Sequence, residues 1–512
     1  MNSNALQWIE ILHPERVLDH ALDTSTAPFL LAGALLITTL AWRRFSRSHH
    51  APLPPGPRGL PLIGNAHQLP LERQWLTFTD WAKSYGEIVH VSAFGQPVVI
   101  LNSSKAVSDL LERRSTMYSD RPQFAFVGNL VGYADSVPLT PYGDRHREYR
   151  RLMSEVLGPR TVSQWRVLEE KHMREFLRDI VRTPEQFLHH IRRSLSPTVH
   201  GYTVAREEDP MMLLAQQADH EFATAVLPGR YLCDVFPLLR FVPDWLAGFK
   251  REAKRFRKTM ERLQDEPYAM VKEQIAQGRA KPSFTSGLIE RDANPSVDQE
   301  LIYKWSVSAI SSFFLAMGTH VDIQKKAQEE LDRVVGRSRL PTFADQDKLP
   351  YVKAIISELH RWSPVGPLAV PHRCSQGDIY SGFCIPAGAT VLANSWGILH
   401  DPALYPAPED FIPERFLADE RLPKSYLNPD PRRYAFGYGR RVCPGRDLAD
   451  DILFLCVAMT LAVFDVRCDD ATVVEYTSSI ISHPMPFQCA ITPRSREAEL
   501  LVVQMGEEGC VE

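Results

Sequence analysis

The densest concentration of chemically capable residues is Phe436-Gly437-Tyr438-Gly439-Arg440-Arg441-Val442-Cys443-Pro444-Gly445, a glycine-punctuated loop that runs into an apolar helical stretch at 447–464. Three physical features converge on Cys443. Glycines let backbone amides approach the sulfur, a helix amino terminus favours the thiolate, and neighbouring arginines add positive charge. Such a thiolate is a nucleophile or a metal ligand. A nucleophile wants a base nearby, and the flanking residues offer no obvious one. Zinc wants three further ligands at metal spacing, which the chain does not provide. A single thiolate is the characteristic ligand of one kind of haem iron, in which sulfur pushes electron density toward cleavage of the O–O bond. The plainer alternative is an inert cysteine buried in a turn.

A second constellation lies upstream. Glu358 and Arg361 stand at i, i+3 on an amphipathic stretch, which puts both on one helix face within pairing reach. Alone that spacing says little, because most Glu/Arg pairs are solvated surface pairs. Pro413-Glu414-Arg415-Phe416 follows between this pair and Cys443, and two more basic runs, Pro371-His372-Arg373 and Tyr142-Gly143-Asp144-Arg145-His146-Arg147 with Arg150 beyond it, precede the loop.

With these residues in place, the chain resembles the cytochrome P450 superfamily of haem-thiolate monooxygenases. The family's cysteine loop reads F-x-x-G-x-R-x-C-x-G, and Phe436, Gly439, Arg441, Cys443 and Gly445 occupy every fixed position. The resemblance implies haem b (iron protoporphyrin IX) as cofactor, Cys443 as axial iron ligand and Arg441 paired with a haem propionate. It implies that Glu358, Arg361 and Arg415 form a buried Glu-Arg-Arg triad behind the haem. Arg373 is expected to reach a propionate from one side, and His146 and Arg150 to meet the haem from the other. The family usually carries Trp where His146 stands; an imidazole can also donate. The resemblance extends through Ser482-His483-Pro484-Met485-Pro486-Phe487, nearly the whole chain. Within the superfamily it is most similar to fungal microsomal enzymes of secondary metabolism, such as those similar to O-methylsterigmatocystin oxidoreductase. The implied fold is mainly α with small β-sheets, a triangular helical haem domain preceded by one transmembrane helix.

One family feature is missing. The central helix of the family carries [AG]-G-x-[DE]-T-T, whose acid and hydroxyl relay protons during oxygen activation. Here Lys304-Trp305-Ser306 runs directly into Val307-Ser308-Ala309-Ile310, and no distal acid/hydroxyl pair is found, so no catalytic residue is assigned. The gap relative to the family is about a dozen residues, roughly 18 Å of helix. Three readings stay open. A gene model or splice form omits the motif from an ordinary monooxygenase; a real deletion between Ser306 and Val307 leaves a catalytically impaired haem-binding protein; or Ser306, Ser308 or Thr319 stands in for the hydroxyl. Against the last, serines on apolar helices commonly bond to their own backbone. An isomerase or dehydratase on the same fold, needing no proton relay to dioxygen, is a further alternative.

The elements that must position these residues are mainly helical. Amphipathic periodicity predicts helices over His146 to Glu155, Trp245 to Gln277, Asp322 to Val335 and Leu349 to Trp362. Alternation predicts a hairpin from Ile88 to Phe94 and Val98 to Leu101, and a strand pair near Ile379 to Ile385 and Thr390 to Ala393. Ser104 to Arg114 reads as a serine-capped helix. Residues 24–42 carry no charge over 19 positions, about 28 Å of helix and close to the thin hydrocarbon core of the endoplasmic reticulum. Arg43, Arg44 and Arg47 follow it, so the positive-inside rule predicts a single-pass anchor with residues 1–23 lumenal and the rest cytosolic. A basic, proline-rich linker spans 43–61, and 62–512 reads as one catalytic domain.

Composition narrows the function classes. The 512 residues are 44% hydrophobic and 23% charged, which excludes collagen, coiled coil and wholesale disorder. With 58 Lys+Arg against 62 Asp+Glu, the net charge of -4 leaves no basic field for nucleic acid. Eight cysteines without a CxxC pair make no disulfide framework. The expected partners are a lipophilic small-molecule substrate, O2, NADPH–cytochrome P450 reductase and the membrane through residues 24–42. By the same resemblance, the substrate pocket draws on 124–131, 198–241 and 480–485, while Arg432, Arg433 and Arg440 are candidates for docking an acidic reductase.

Overall fold

The computed structural model of the chain describes residues 51–200, 209–226, 230–281, 283, 286, 289, 298–417, 428–469, 472, 474–478 and 480–504, the side chains of 195–200, 219 and 298–305 excepted. The expected lumenal tail, the expected anchor and the linker up to residue 50 therefore lie outside the described residues. Among the described residues no helix is long and apolar enough to cross a membrane.

Helices dominate. The long ones are α1 (Gln74–Tyr85), α2 (Asp144–Leu157), α3 (Arg166–Arg182), α4 (Phe187–His200), α5 (Pro210–Ala225), α6 (Gly248–Ala276), α7 (Asp298–Thr319), α8 (Val321–Val334), α9 (Pro350–Trp362), α10 (Arg446–Val463) and α11 (Arg496–Gln504). The periodic stretches of the sequence correspond to α2, α6, α8 and α9 within a few residues at each end. α9 starts on Pro350, whose missing N–H costs nothing in a first turn. α10 is buried on nearly all sides from Leu448 to Val463, as the apolar run from Ile452 onward requires, and its buried Asp451 pairs with Arg166 at 2.9 Å. It forms the centre of the main core with Phe313, Phe314 and Met317 of α7 and Ile355 and Leu359 of α9.

Strands β1 (Ile88–Ala93) and β2 (Gln96–Leu101) form the expected hairpin, with Val91 opposite Val98 and Ile88 opposite Leu101. One local expectation is corrected. Strand β6 (Thr390–Ala393) does not pair with 379–385: it lies parallel to β2 and antiparallel to β3 (His372–Arg373), giving the order β1-β2-β6-β3. The short strands β4 (Asp378–Tyr380) and β5 (Phe383–Ile385) pair with each other instead. Alternation identifies a strand but not its partner, and here the long-range partner prevails. The serine-capped helix starts at Ser104 as expected, with Ser103 as its cap. Ser103 Oγ accepts the Ala106 N–H at 3.1 Å, and the α-turn at Ser104–Val107 widens into a π-helical stretch over Ser108–Arg113. A last ribbon joins β7 (Phe464–Cys468) to β8 (Cys489–Pro493).

Two units are distinguished among the described residues: a small one of 51–53 with Ile379–Cys384, where the Cys384 N–H donates to the Pro52 carbonyl at 2.7 Å, and a large one of the described residues in 54–378 and 385–504.

Candidate functional site

Cys443 is presented by a tight loop between the short helix Arg432–Ala435 and α10. Its N–H donates to the Phe436 carbonyl at 2.8 Å, closing the loop across Gly437 and Gly439. Both glycines have positive φ, +77° and +55°, and at Gly439 a Cβ would fall 2.1 Å from the Leu111 carbonyl oxygen, so only glycine fits there. Two tyrosines pin the loop from outside the motif: Tyr438 shares a hydrogen bond with Ser395 Oγ at 2.6 Å, and Tyr434 with Ser104 Oγ at 2.7 Å. Gly445 is the residue before the first turn of α10, and its N–H bonds the Cys443 sulfur. Burial pushes the Cys443 thiol up to about 11, while that N–H and the charges of Arg150 and Arg446 favour the thiolate. A cation bound at the sulfur would tip the balance to the anion.

The sulfur lines a cavity beside the cysteine loop. Phe436, Met153, Ala369 and Val370 supply apolar wall. The polar lining is cationic or imidazole: Arg121, His146, Arg150, His372 and Arg441, with no carboxylate among the lining residues. The guanidiniums are held by backbone carbonyls. Arg441 donates to Ser119, Val137 and Thr140 at 2.7, 3.2 and 2.7 Å; Arg121 donates to Pro138, Val370 and Pro371 at 2.7, 2.8 and 2.8 Å. Arg150 donates to the Val442 carbonyl at 2.5 Å, tying α2 to the cysteine loop. Burial lowers Arg121 well below its usual value and Arg441 to about 10, and each is further disfavoured by a neighbouring arginine. His146 is 2% exposed, and burial and then Arg441 hold its imidazole down to about 3. Its Nδ1 has no hydrogen-bond partner.

These features test the fit of a haem. Burying guanidiniums without an anion is costly, and an orphaned imidazole nitrogen costs about 1–3 kcal/mol. A flat apolar group with two carboxylates would offset both, and the sulfur stands ready for its metal. The residues present fit the group.

Arg373 is not among the lining residues: it pairs with Asp120 at 3.2 Å, and the residue of β3 that lines the cavity is His372, whose Nδ1 donates to the Tyr118 carbonyl at 2.7 Å. Arg121 is therefore a cavity residue that no motif in the sequence singled out, and His372 one that stood in the Pro371-His372-Arg373 run without an assigned role. Glu358, Arg361 and Arg415 come together: Arg361 donates to both Glu358 oxygens at 2.8 Å with both side chains wholly buried, and Arg415 Nε lies 3.2 Å from Glu358 Oε2. The Ile412 N–H adds a bond to the same carboxylate at 2.8 Å, and Arg361 also donates to the Pro408 and Asp410 carbonyls, so α9 is locked to the chain that precedes the cysteine loop.

The central helix α7 brings no described side chain to the cavity lining. Its hydroxyls turn back on the helix: Ser311 Oγ donates to the Val307 carbonyl at 2.8 Å, Ser312 Oγ to Ser308 at 3.1 Å and Thr319 Oγ1 to Leu315 at 2.8 Å. Ser306 and Ser308 are buried. The segments expected at the substrate also stay off this cavity. Phe126 stacks on Tyr231, ring centroids 3.3 Å apart, inside a core cluster with Phe256, and 201–208 and 227–229 lie outside the described residues.

Comparison with known proteins gives a consistent answer. A family model described as Cytochrome P450 matches residues 54–304 and 305–490. The match breaks beside the junction at which the oxygen-activation motif is missing. Cytochrome P450 monooxygenase 208 of Postia placenta is 42% identical over 95% of this chain and 98% of its own length. Cytochrome P450 monooxygenase claR of Ampulloclitocybe clavipes is 39% identical, covering 89% of both chains, and tryptamine 4-monooxygenase of Psilocybe cyanescens is 35% identical over 91% of this chain and 98% of its own.

Proposed function

This chain belongs to the cytochrome P450 family of monooxygenases, and from that premise we propose that it hydroxylates a lipophilic small molecule in fungal secondary metabolism or xenobiotic oxidation. The observation that carries this reading is a cysteine sulfur lining a cavity whose polar lining is arginine and histidine, with no carboxylate among the lining residues. Haem, proposed as haem b, supplies the dioxygen chemistry when bound. Cys443 would hold its iron, and Arg121, His146, Arg150, His372 and Arg441 would meet its carboxylates. The chain's own residues orient the group and keep water from its apolar edge through Phe436, Met153 and Val370, while the Gly445 N–H and the Arg150 charge favour the thiolate against burial.

Electrons are proposed to come from NADPH–cytochrome P450 reductase. Arg432, Arg433 and Arg440 support docking: all three are exposed beside the cysteine loop, although Arg432 is shared with Asp430 and Asp450 and Arg440 with Tyr142. The uncharged run 24–42 followed by three arginines supports a single-pass anchor in the endoplasmic reticulum, with the catalytic domain cytosolic. Exposed Leu238, Phe241, Trp245 and Leu246 add apolar surface of the kind that sits at a bilayer interface.

A second reading, a haem-thiolate protein impaired in turnover, is favoured by the back-bonded hydroxyls of α7. Reconstitution of the full chain with reductase and NADPH separates the two. Oxidised product from a panel of lipophilic compounds supports the monooxygenase; NADPH consumption and peroxide without product supports the impaired protein. Failure to retain haem at all overturns both. A transcript read across codons 306 and 307 establishes whether the message itself lacks the motif.

A further inference from the structure

Cys468 and Cys489 lie outside the site described above. They face each other at the open end of the antiparallel ribbon β7–β8, where Phe464 stands opposite Pro493 and Val466 opposite Ile491. The parity of this ladder can be read from its hydrogen bonds. Pro493 has no N–H to give. Gln328 donates to the Phe464 carbonyl at 3.1 Å; Gln324 donates to the Val466 carbonyl at 2.9 Å and accepts the Val466 N–H at 2.8 Å. Phe464 and Val466 thus turn their backbone groups toward α8 and away from β8. Every second pair from Phe464 is of the non-hydrogen-bonded kind, and Cys468 opposite Cys489 is one of them. Such pairs set Cα atoms about 4.5 Å apart with side chains on one face. Disulfides span Cα separations of about 4.4–6.8 Å. The two thiols already hydrogen-bond each other, which holds Cys468 below its ordinary value and raises Cys489. Cys468 is buried and Cys489 partly exposed, so a small oxidant has a route in.

We infer that Cys468 and Cys489 form a redox-active dithiol that hydrogen peroxide converts to a cross-strand disulfide. The Cys468 sulfur attacks one peroxide oxygen, the O–O bond breaks, and a sulfenic acid and one water result. The Cys489 sulfur attacks that sulfenic sulfur, the S–O bond breaks, and a second water leaves with the thiol proton. Two thiols lose two electrons and two protons to one peroxide. The bond closes the base of the segment 469–488, which contains the 480–485 stretch expected at the substrate. It also draws on the sulfur against which α7 lies: a Cβ at Gly318 would fall 2.3 Å from Cys468 Sγ.

The test is peptide mapping of the full chain, without reductant, after graded exposure to hydrogen peroxide. A 468–489 linked peptide, lost on treatment with a thiol reductant, is expected to form about tenfold faster than any oxidation of the buried Cys233 and Cys456. In Cys489→Ala, Cys468 is expected to stop at a sulfenic acid that dimedone traps. Persistence of both thiols at doses that oxidise Cys233 or Cys456, or linkage of either to another cysteine, would overturn the inference, and either result is read on the parent chain, whether or not the variant folds.

Discussion

At the scale of single residues, Cys443 sits between opposing influences, with burial disfavouring the thiolate and the Gly445 N–H, Arg150 and Arg446 favouring it. The cavity cations face the complementary problem, since Arg121 and Arg441 are buried with their direct hydrogen bonds going to backbone carbonyls, and Asp120 offsets only part of the cost of burial. A charge-assisted hydrogen bond to a carboxylate is worth about 1.5–3 kcal/mol. Arg441→Leu and Arg121→Leu are therefore each expected to speed haem loss to an apo-globin acceptor by roughly 10- to 100-fold, and an unchanged rate would remove that residue from the haem's surroundings. The cysteine loop was legible because its residues are adjacent in sequence. The roles of Arg121 and His372 were not, because positions about 250 apart meet only in the fold, where Arg121 donates to the Val370 and Pro371 carbonyls and His372 to the Tyr118 carbonyl. On β3 successive side chains point to opposite faces, and His372, not Arg373, is among the residues that line the cavity.

At the scale of elements, the i, i+3 spacing of Glu358 and Arg361 was readable, and the structure adds what makes it consequential: both side chains are wholly buried, and α9 is tied by them to residues 408–412. Removing one partner of a buried pair costs about 3–5 kcal/mol because it strands the other charge. Glu358→Ala is expected to lower the stability read from urea unfolding by that much, or to leave no soluble protein, whereas a shift within about 0.5 kcal/mol would mean that the pair is not a structural lock. Helix periods were legible since each long helix buries one stripe or, in α10, its whole surface. Strand partners were not, because β6 finds β2 almost 300 residues away in sequence. The same is true of α7, whose sequence announces an apolar helix but not that Ser311 and Ser312 would spend their hydroxyls on its own carbonyls.

At the scale of the whole molecule, buried histidines couple stability to pH. Burial holds His172 down to about 4 and His400 to about 3, with Lys171 and Arg361 adding repulsion. The folded chain keeps both neutral while the unfolded chain protonates them near 6.5. Their contribution is complete above that value and is lost as pH falls toward 4, with a slope approaching roughly 3 kcal/mol per pH unit for the two together. Urea unfolding at pH 7 and pH 5 is expected to show the loss, with His400→Asn flattening it; a midpoint indifferent to pH would refute the assignment. The central claim concerns one bond, from the Cys443 sulfur to haem iron, and carbon monoxide on the reduced full chain tests it most directly. The account predicts a thiolate-type Soret band in the parent that Cys443→Ser loses, and a Cys443→Ser protein with the parent's spectrum would contradict it.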